Sequence, residues 1–268
     1  MSDRYPQRIV CLTEETTETL YLLGEQDRIV GISGFTVRPP QARKEKPKVS
    51  AFTSAKIDRI LGLQPDLVLG FSDLQADIAA ELIRHGVEVH VFNHRSVEQI
   101  LNMVVQLGSL VGAGQRARRW VDDWERQATR RRAALPPEDQ RPLVYFEEWD
   151  DPIITGIRWV SELIQLAGGR ESFPENAVQP LGKDRIVADP SEVVRRAPDI
   201  IVGSWCGKKF RPERVAERPG WEVIPAVRDG QVFEVKSALI LQPGPAALTD
   251  GLAELERIIQ GWQAPPKG

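Results

Sequence analysis

Residues 58–71 read DRILGLQPDLVLGF, and residues 191–204 read SEVVRRAPDIIVGS. Superposed on Pro65 and Pro198, Ile60 and Leu61 fall on Val193 and Val194, and Asp66 falls on Asp199. Leu67, Val68 and Leu69 fall on Ile200, Ile201 and Val202, and Gly70 falls on Gly203. Each copy predicts a short helix, a Pro-Asp turn, one strand of branched apolar residues and a closing glycine. A strand apolar on both faces belongs in a parallel sheet covered by helices on each side. The duplication therefore predicts an α/β fold made of two similar doubly wound lobes, with a ligand cleft between them.

Working outward, the first copy sits in a pattern of alternating strands and helices. A strand at Arg8–Leu12 leads to Thr13, which is expected to cap a helix whose first turn carries Glu14 and Glu15 and which Gly24 stops. A strand at Arg28–Ile32 follows, then a loop from Ser33 to Pro40 and a basic connector from Arg43 to Ser50. After the repeat come a helix near Asp73–His85 and a strand at Val87–Phe92. From Ser96 to about Ala134 the apolar spacing is helical, with a break at Gly112-Ala113-Gly114. Lobe two is expected to open with a strand at Leu143–Phe146 and an acidic loop, Glu147-Glu148-Trp149-Asp150-Asp151. A helix at Ile157–Ala167, a polar loop through Pro180, the second copy, a turn at Asp229-Gly230, a strand at Val232–Val235 and a helix near Ala246–Ile259 complete it. The expected division is residues 1–95 for the N-terminal lobe, 96–135 for a helical linker that includes a stiff spine helix, and 136–268 for the C-terminal lobe.

Bulk composition narrows the function. A hydrophobic share of 41% and a charged share of 27% are those of an ordinary globular chain, and a net charge of -3 argues against a nucleic-acid partner. Basic residues between Arg116 and Arg132 alternate with Asp122, Asp123 and Glu125, as on a solvated helix face. Two cysteines exclude a disulfide framework, and no apolar run is long enough for membrane insertion. The N-terminus lacks a secretion signal, so a cytoplasmic protein is expected as the sequence is written, with a periplasmic or extracytoplasmic location as the alternative.

Ligands of such lobes bind beyond the carboxyl ends of the parallel strands. Here those ends run into aromatic loops: Phe35, Phe52 and Phe71 in lobe one, Trp149 and Trp205 in lobe two. These rings, with Cys206 beside the last, are the candidate ligand-binding residues, and Cys11 also ends a strand. His85, His90 and His94 lack the carboxylates and spacing of a metal site, and no nucleophile motif or phosphate loop is present, so neither a metal nor catalytic residues are expected.

Taken together, Arg8–Gly24, Asp27–Ala42, Lys48–Phe52, the two repeats, Ile154–Gly169 and Arg218–Val235 resemble the substrate-binding proteins of bacterial cobalamin and iron-siderophore ABC importers. The likeness spans almost the whole chain and is greatest to the cobalamin-binding branch. It implies a rigid two-lobed binder and no catalytic cofactor. The expected ligand is cobalamin or a related corrinoid, and the expected partner of a monomeric protein is an ABC-transporter permease. Phe35, Phe52 and Phe71 match aromatic cleft positions of that branch, whereas a cleft tryptophan of the family falls near Pro180-Leu181, where this chain has none. Asp58 matches an acidic residue that docks on the transporter; the second such position is Ser191, with Glu192 next to it. Two other readings stand beside this one. The first is an iron-siderophore or haem-type chelate binder, with Arg38, Arg158 and Lys208 facing the anion. The second is a cytosolic enzyme or cofactor chaperone that uses Cys206 or the Glu147–Asp151 stretch.

Overall fold

The computed structural model describes residues 4–263. They form two compact α/β units. One takes the chain up to His94, then Glu98–Glu125 and Pro243–Pro245; the other takes Arg95–Val97, Arg126–Gln242 and the chain from Ala246 onward.

The first unit is built on a six-stranded sheet: β1 (Ile9–Cys11), β2 (Ile29–Ser33), β3 (Lys48–Ala51), β4 (Ser54–Ala55), β5 (Leu67–Phe71) and β6 (Val89–Phe92). Their order is β4-β3-β2-β1-β5-β6, all parallel except the β3–β4 hairpin. The chain moves outward from β1 on one side and then returns to β5 on the other, so β1 and β5 flank the switch point. Val10, Leu12, Val49 and Val68 face a core shared with Ile60, Ile78 and Leu82, while the intervening Ile9, Cys11, Leu67 and Leu69 are equally buried on the other face. Unbroken apolar strands are the consequence of that double burial.

In the second unit, β7 (Leu143–Asp150), β8 (Ile153–Thr155), β9 (Arg170–Glu171), β10 (Ile200–Gly203) and β11 (Val232–Glu234) form one sheet. Its order is β11-β10-β7-β8, with β9 parallel to the start of β7 and β8 antiparallel to its end. β10 lies beside β7 as β5 lies beside β1, so each copy of the repeat supplies the strand across the switch point from its unit's first strand. The likeness extends to the backbone. Gln64 and Ala197, each just before the repeat's proline, both hold φ at 48° as the preceding helix ends.

Several expectations change. The basic connector contains a helix, Pro40–Glu45, and the strand β3, where only Val49 is buried; a strand with one covered position has little pattern to read. β7 does not stop at Phe146 but runs through the acidic stretch to Asp150, because β8 pairs with its backbone and several cations satisfy its carboxylates. The polar loop before Pro180 holds β9 and the helix Pro174–Ala177. The helical stretch after Ser96 is two helices, Val97–Leu110 and Gly114–Ala134. They pack so tightly that a Cβ on Gly108 would lie 2.4 Å from the Ala117 Cβ. The second helix passes from one unit into the other, between Glu125 and Arg126.

Candidate functional site

In the first unit the strand ends are tied together by Gln75, a buried residue in the turn after β5. Its Oε1 accepts the Phe71 amide at 2.8 Å, and its Nε2 donates to the carbonyls of Phe52 at 2.8 Å and Leu12 at 3.4 Å. One side chain thus joins the carboxyl ends of β5, β3 and β1. Gly70 is needed beside it, since a Cβ there would lie 2.9 Å from Gln75 Oε1. The rings of Phe52 and Phe71 are brought to 6.5 Å, with Phe71 largely covered. Phe35, after β2, is 58% exposed, an open apolar ring beyond the sheet. Nothing in a hydrophobic pattern flags Gln75; its role depends on three chain segments arriving at one place.

Thr13 departs from its expected role as a cap. No helix N–H reaches its side chain; its hydroxyl donates to Glu15 Oε1 at 2.5 Å instead. Glu14 and Glu15 are buried at this strand end. Burial, with Glu15 alongside, pushes the Glu14 carboxyl up to about 8, and burial pushes Glu15 up to about 7. Cys11 is also enclosed, its thiol pushed up to about 12 by burial, so it does not reach a ligand as its strand-end position had implied.

In the second unit Glu147 plays the tying role. Wholly buried, its carboxylate accepts from Tyr145 Oη at 2.9 Å, from Trp205 Nε1 at 3.0 Å, and from both terminal nitrogens of Arg218 at 2.6 and 2.8 Å. Burial, with Glu147 next to it, holds the Tyr145 phenol well above its ordinary value. Trp205 is 2% exposed and sits edge-on to Phe210 in the unit's apolar core. Gly203 makes room for that ring: a Cβ there would fall 1.8 Å from Phe210.

Lys208 organises the outer layer. Its ammonium is 2.6 and 2.8 Å from the Asp150 carboxylate, 5.0 Å from the Trp205 ring centre and 5.4 Å from that of Trp149. Trp149 is partly exposed, its indole N–H donating to the Asp151 carbonyl at 3.0 Å. Trp149, Trp205 and exposed Cys206 are therefore neighbours of one lysine loop. Glu148 points to a different partner, buried Arg185, at 2.6 and 3.2 Å. Of the four carboxylates in the acidic stretch, those of Glu147, Glu148 and Asp150 already hold cations.

A helix that leads into a parallel strand runs back along the sheet, so its first turn lies at the carboxyl edge. Asp58 stands there in the first unit, exposed and without an ion-pair partner among the described residues. Glu192 stands there in the second, bound by Arg195 and Arg196, while Ser191 donates to Asp189 at 2.7 Å. His94 is buried against the Pro243 carbonyl, and among the described residues no three His, Cys, Asp or Glu side chains gather as metal ligands.

Two α/β units whose parallel strands end in aromatic rings have the build of a ligand-binding protein. The chain belongs to the periplasmic binding protein family, whose profile matches residues 9–239. It is 25% identical over 256 residues to a vitamin B12-binding protein of Vibrio parahaemolyticus, covering 92% of this chain and 88% of that protein. It is also 25% identical over 268 residues to an uncharacterized ABC transporter substrate-binding lipoprotein of Bacillus subtilis, covering 95% and 80%. A periplasmic heme-binding protein from Pseudomonas aeruginosa superposes with a TM-score of 0.78 at 22% identity, over 96% of this chain and 94% of that one, a likeness of fold. Among the described residues no helix is long and apolar enough to cross a membrane.

Proposed function

We propose that this chain is the substrate-binding component of an ABC importer and that its cargo is a corrinoid of the cobalamin type. One observation carries the choice of ligand. The three cations first considered for an anionic chelate each hold a carboxylate: Arg38 with Glu18 at 3.1 Å, Arg158 with Glu162 at 2.8 Å, Lys208 with Asp150 at 2.6 Å. Three cations committed in this way favour a ligand that is apolar in body and amide-edged over a siderophore or haem bearing several carboxylates. The vitamin B12-binding relative supports the same choice.

Phe35, Phe52 and Trp149 supply apolar faces, with largely covered Phe71 against Phe52, Trp205 in the core that Trp149 packs on, and Cys206 at the rim. Asp58 and Glu192 would meet the permease. The family and the lipoprotein relative favour an extracytoplasmic location over a cytosolic one. The enzyme reading has little support, because Glu147 commits its carboxylate to Tyr145, Trp205 and Arg218 and has no lone pair left for proton transfer.

Titration with cyanocobalamin, followed by tryptophan fluorescence and corrinoid absorbance, tests this. Saturable one-to-one binding, weakened about tenfold in Trp149→Ala through loss of ring contact, is expected. Saturation by haemin with none by cyanocobalamin would overturn the corrinoid assignment.

A further inference from the structure

Beyond β10 and β11, at the carboxyl edge of the second unit's sheet, lies a cavity of about 440 Å³. Its walls include Gly207, Lys208, Lys209, Glu234, Lys236 and Ser237. These charges are not balanced. Lys208 is held by Asp150, and Lys236 is paired with Glu234. Lys209 is exposed and has no carboxylate within ion-pair reach among the described residues. One uncompensated positive charge therefore remains among these lining residues. Gly207 turns the chain here with φ at 71°, and a Cβ on it would meet nothing within 4 Å, so the lining is open at Gly207, two residues before Lys209. The Ser237 hydroxyl adds a neutral donor to the lining.

We infer that this cavity receives a single anionic group of the ligand and, resting on the corrinoid reading above, that the group is the phosphodiester of a complete nucleotide tail. A cobalamin is amide-edged and carries one such phosphodiester; a truncated corrinoid without the nucleotide carries none. One free lysine beside otherwise neutralised pairs matches one negative charge. It does not match a chelate with several carboxylates, which would face Asp150 and Glu234 as well. The site thus selects complete corrinoids over truncated ones.

The test compares cyanocobalamin with dicyanocobinamide, which lacks the nucleotide and its phosphate, on wild type, Lys209→Gln and Lys236→Gln. Wild type should bind cyanocobalamin about three- to tenfold more tightly, the range of one charge-assisted contact at a partly exposed site. Added salt should narrow the gap. Lys209→Gln should weaken cyanocobalamin alone and bring the two ligands together, and Lys236→Gln, which releases Glu234, should do the same. Equal wild-type affinity for both corrinoids, or equal weakening of both by Lys209→Gln, overturns the subsite while leaving the corrinoid reading intact. Failure of both corrinoids to bind any of the three proteins overturns the corrinoid reading, and the subsite with it.

Discussion

The carboxylate of Asp66 accepts the Arg8 amide at 2.8 Å, and the Asp66 amide returns a bond to the Arg8 carbonyl at 3.0 Å. Asp199 repeats the exchange with Leu143, at 2.7 and 2.8 Å. The aspartate of each repeat thus clamps the first strand of its unit to the strand across the switch point, and sets their register before the ladder begins. Replacing Asp199 by Ala should cost about 1–2 kcal/mol in urea unfolding, since the Leu143 amide loses a charged acceptor. An unchanged midpoint would mean that water replaces the carboxylate at no cost.

The closing glycine of each repeat has a spatial reason. Gly203→Ala places its methyl inside the Phe210 ring and should destabilise the second unit by about 3 kcal/mol or more. Gly62, the last residue of the helix Ile57–Gly62, has open space where a Cβ would stand, with nothing within 4 Å, so Gly62→Ala should add about 0.5–1 kcal/mol. Thermal melts of the two variants should move in opposite directions.

Glu147 and Arg218 should behave as one buried unit. Glu147→Ala leaves Arg218, Tyr145 and Trp205 without their shared acceptor, and a loss of about 3–5 kcal/mol is expected. The double variant Glu147→Leu with Arg218→Met should regain most of it, because no buried charge is then left alone. A double variant as unstable as the single one would place the loss in packing instead.

Glu171 should give the protein a pH-dependent stability. Burial pushes its carboxyl up to about 7, although Oε1 accepts the Phe173 amide at 3.0 Å. Below the ordinary carboxyl value both folded and unfolded chains hold the proton, and stability is whole. As pH rises from there through about 7 the unfolded chain releases its proton first, so stability is lost across that window. Glu171→Gln keeps the acceptor and removes the titration. Its melting temperature should exceed that of wild type above about pH 7, by on the order of 1–3 kcal/mol in stability, and converge with it near about pH 4. Parallel pH profiles would exclude Glu171 as the source.

Legibility varied with the kind of signal. β5 and β10 were readable because burial on both faces demands uninterrupted branched residues, and Pro-Asp and glycine mark their ends. The far half of β7 was not, because Glu147–Asp150 has the composition of a loop and becomes strand only where Arg185, Lys208 and Arg218 arrive from elsewhere. Of the candidate rings, Phe35 and Trp149 keep accessible surface, whereas Trp205 follows its strand just as plainly in sequence and lies in the core. Its place at a strand end makes Trp205 a candidate ring; Phe210 and Glu147 close over it.

The amino-acid sequence by itself determined the duplicated strand-turn unit, the α/β class and the aromatic character of the strand ends, since these rest on local periodicity and on residues whose backbone preferences act within a few positions. Only the tertiary structure decided which charges remain available. Lys208 and Lys209 are adjacent and chemically alike, yet one is taken by Asp150 and the other is not. That distinction depends on a carboxylate 58 positions away reaching within 2.6 Å, a distance that folding sets and no local pattern encodes.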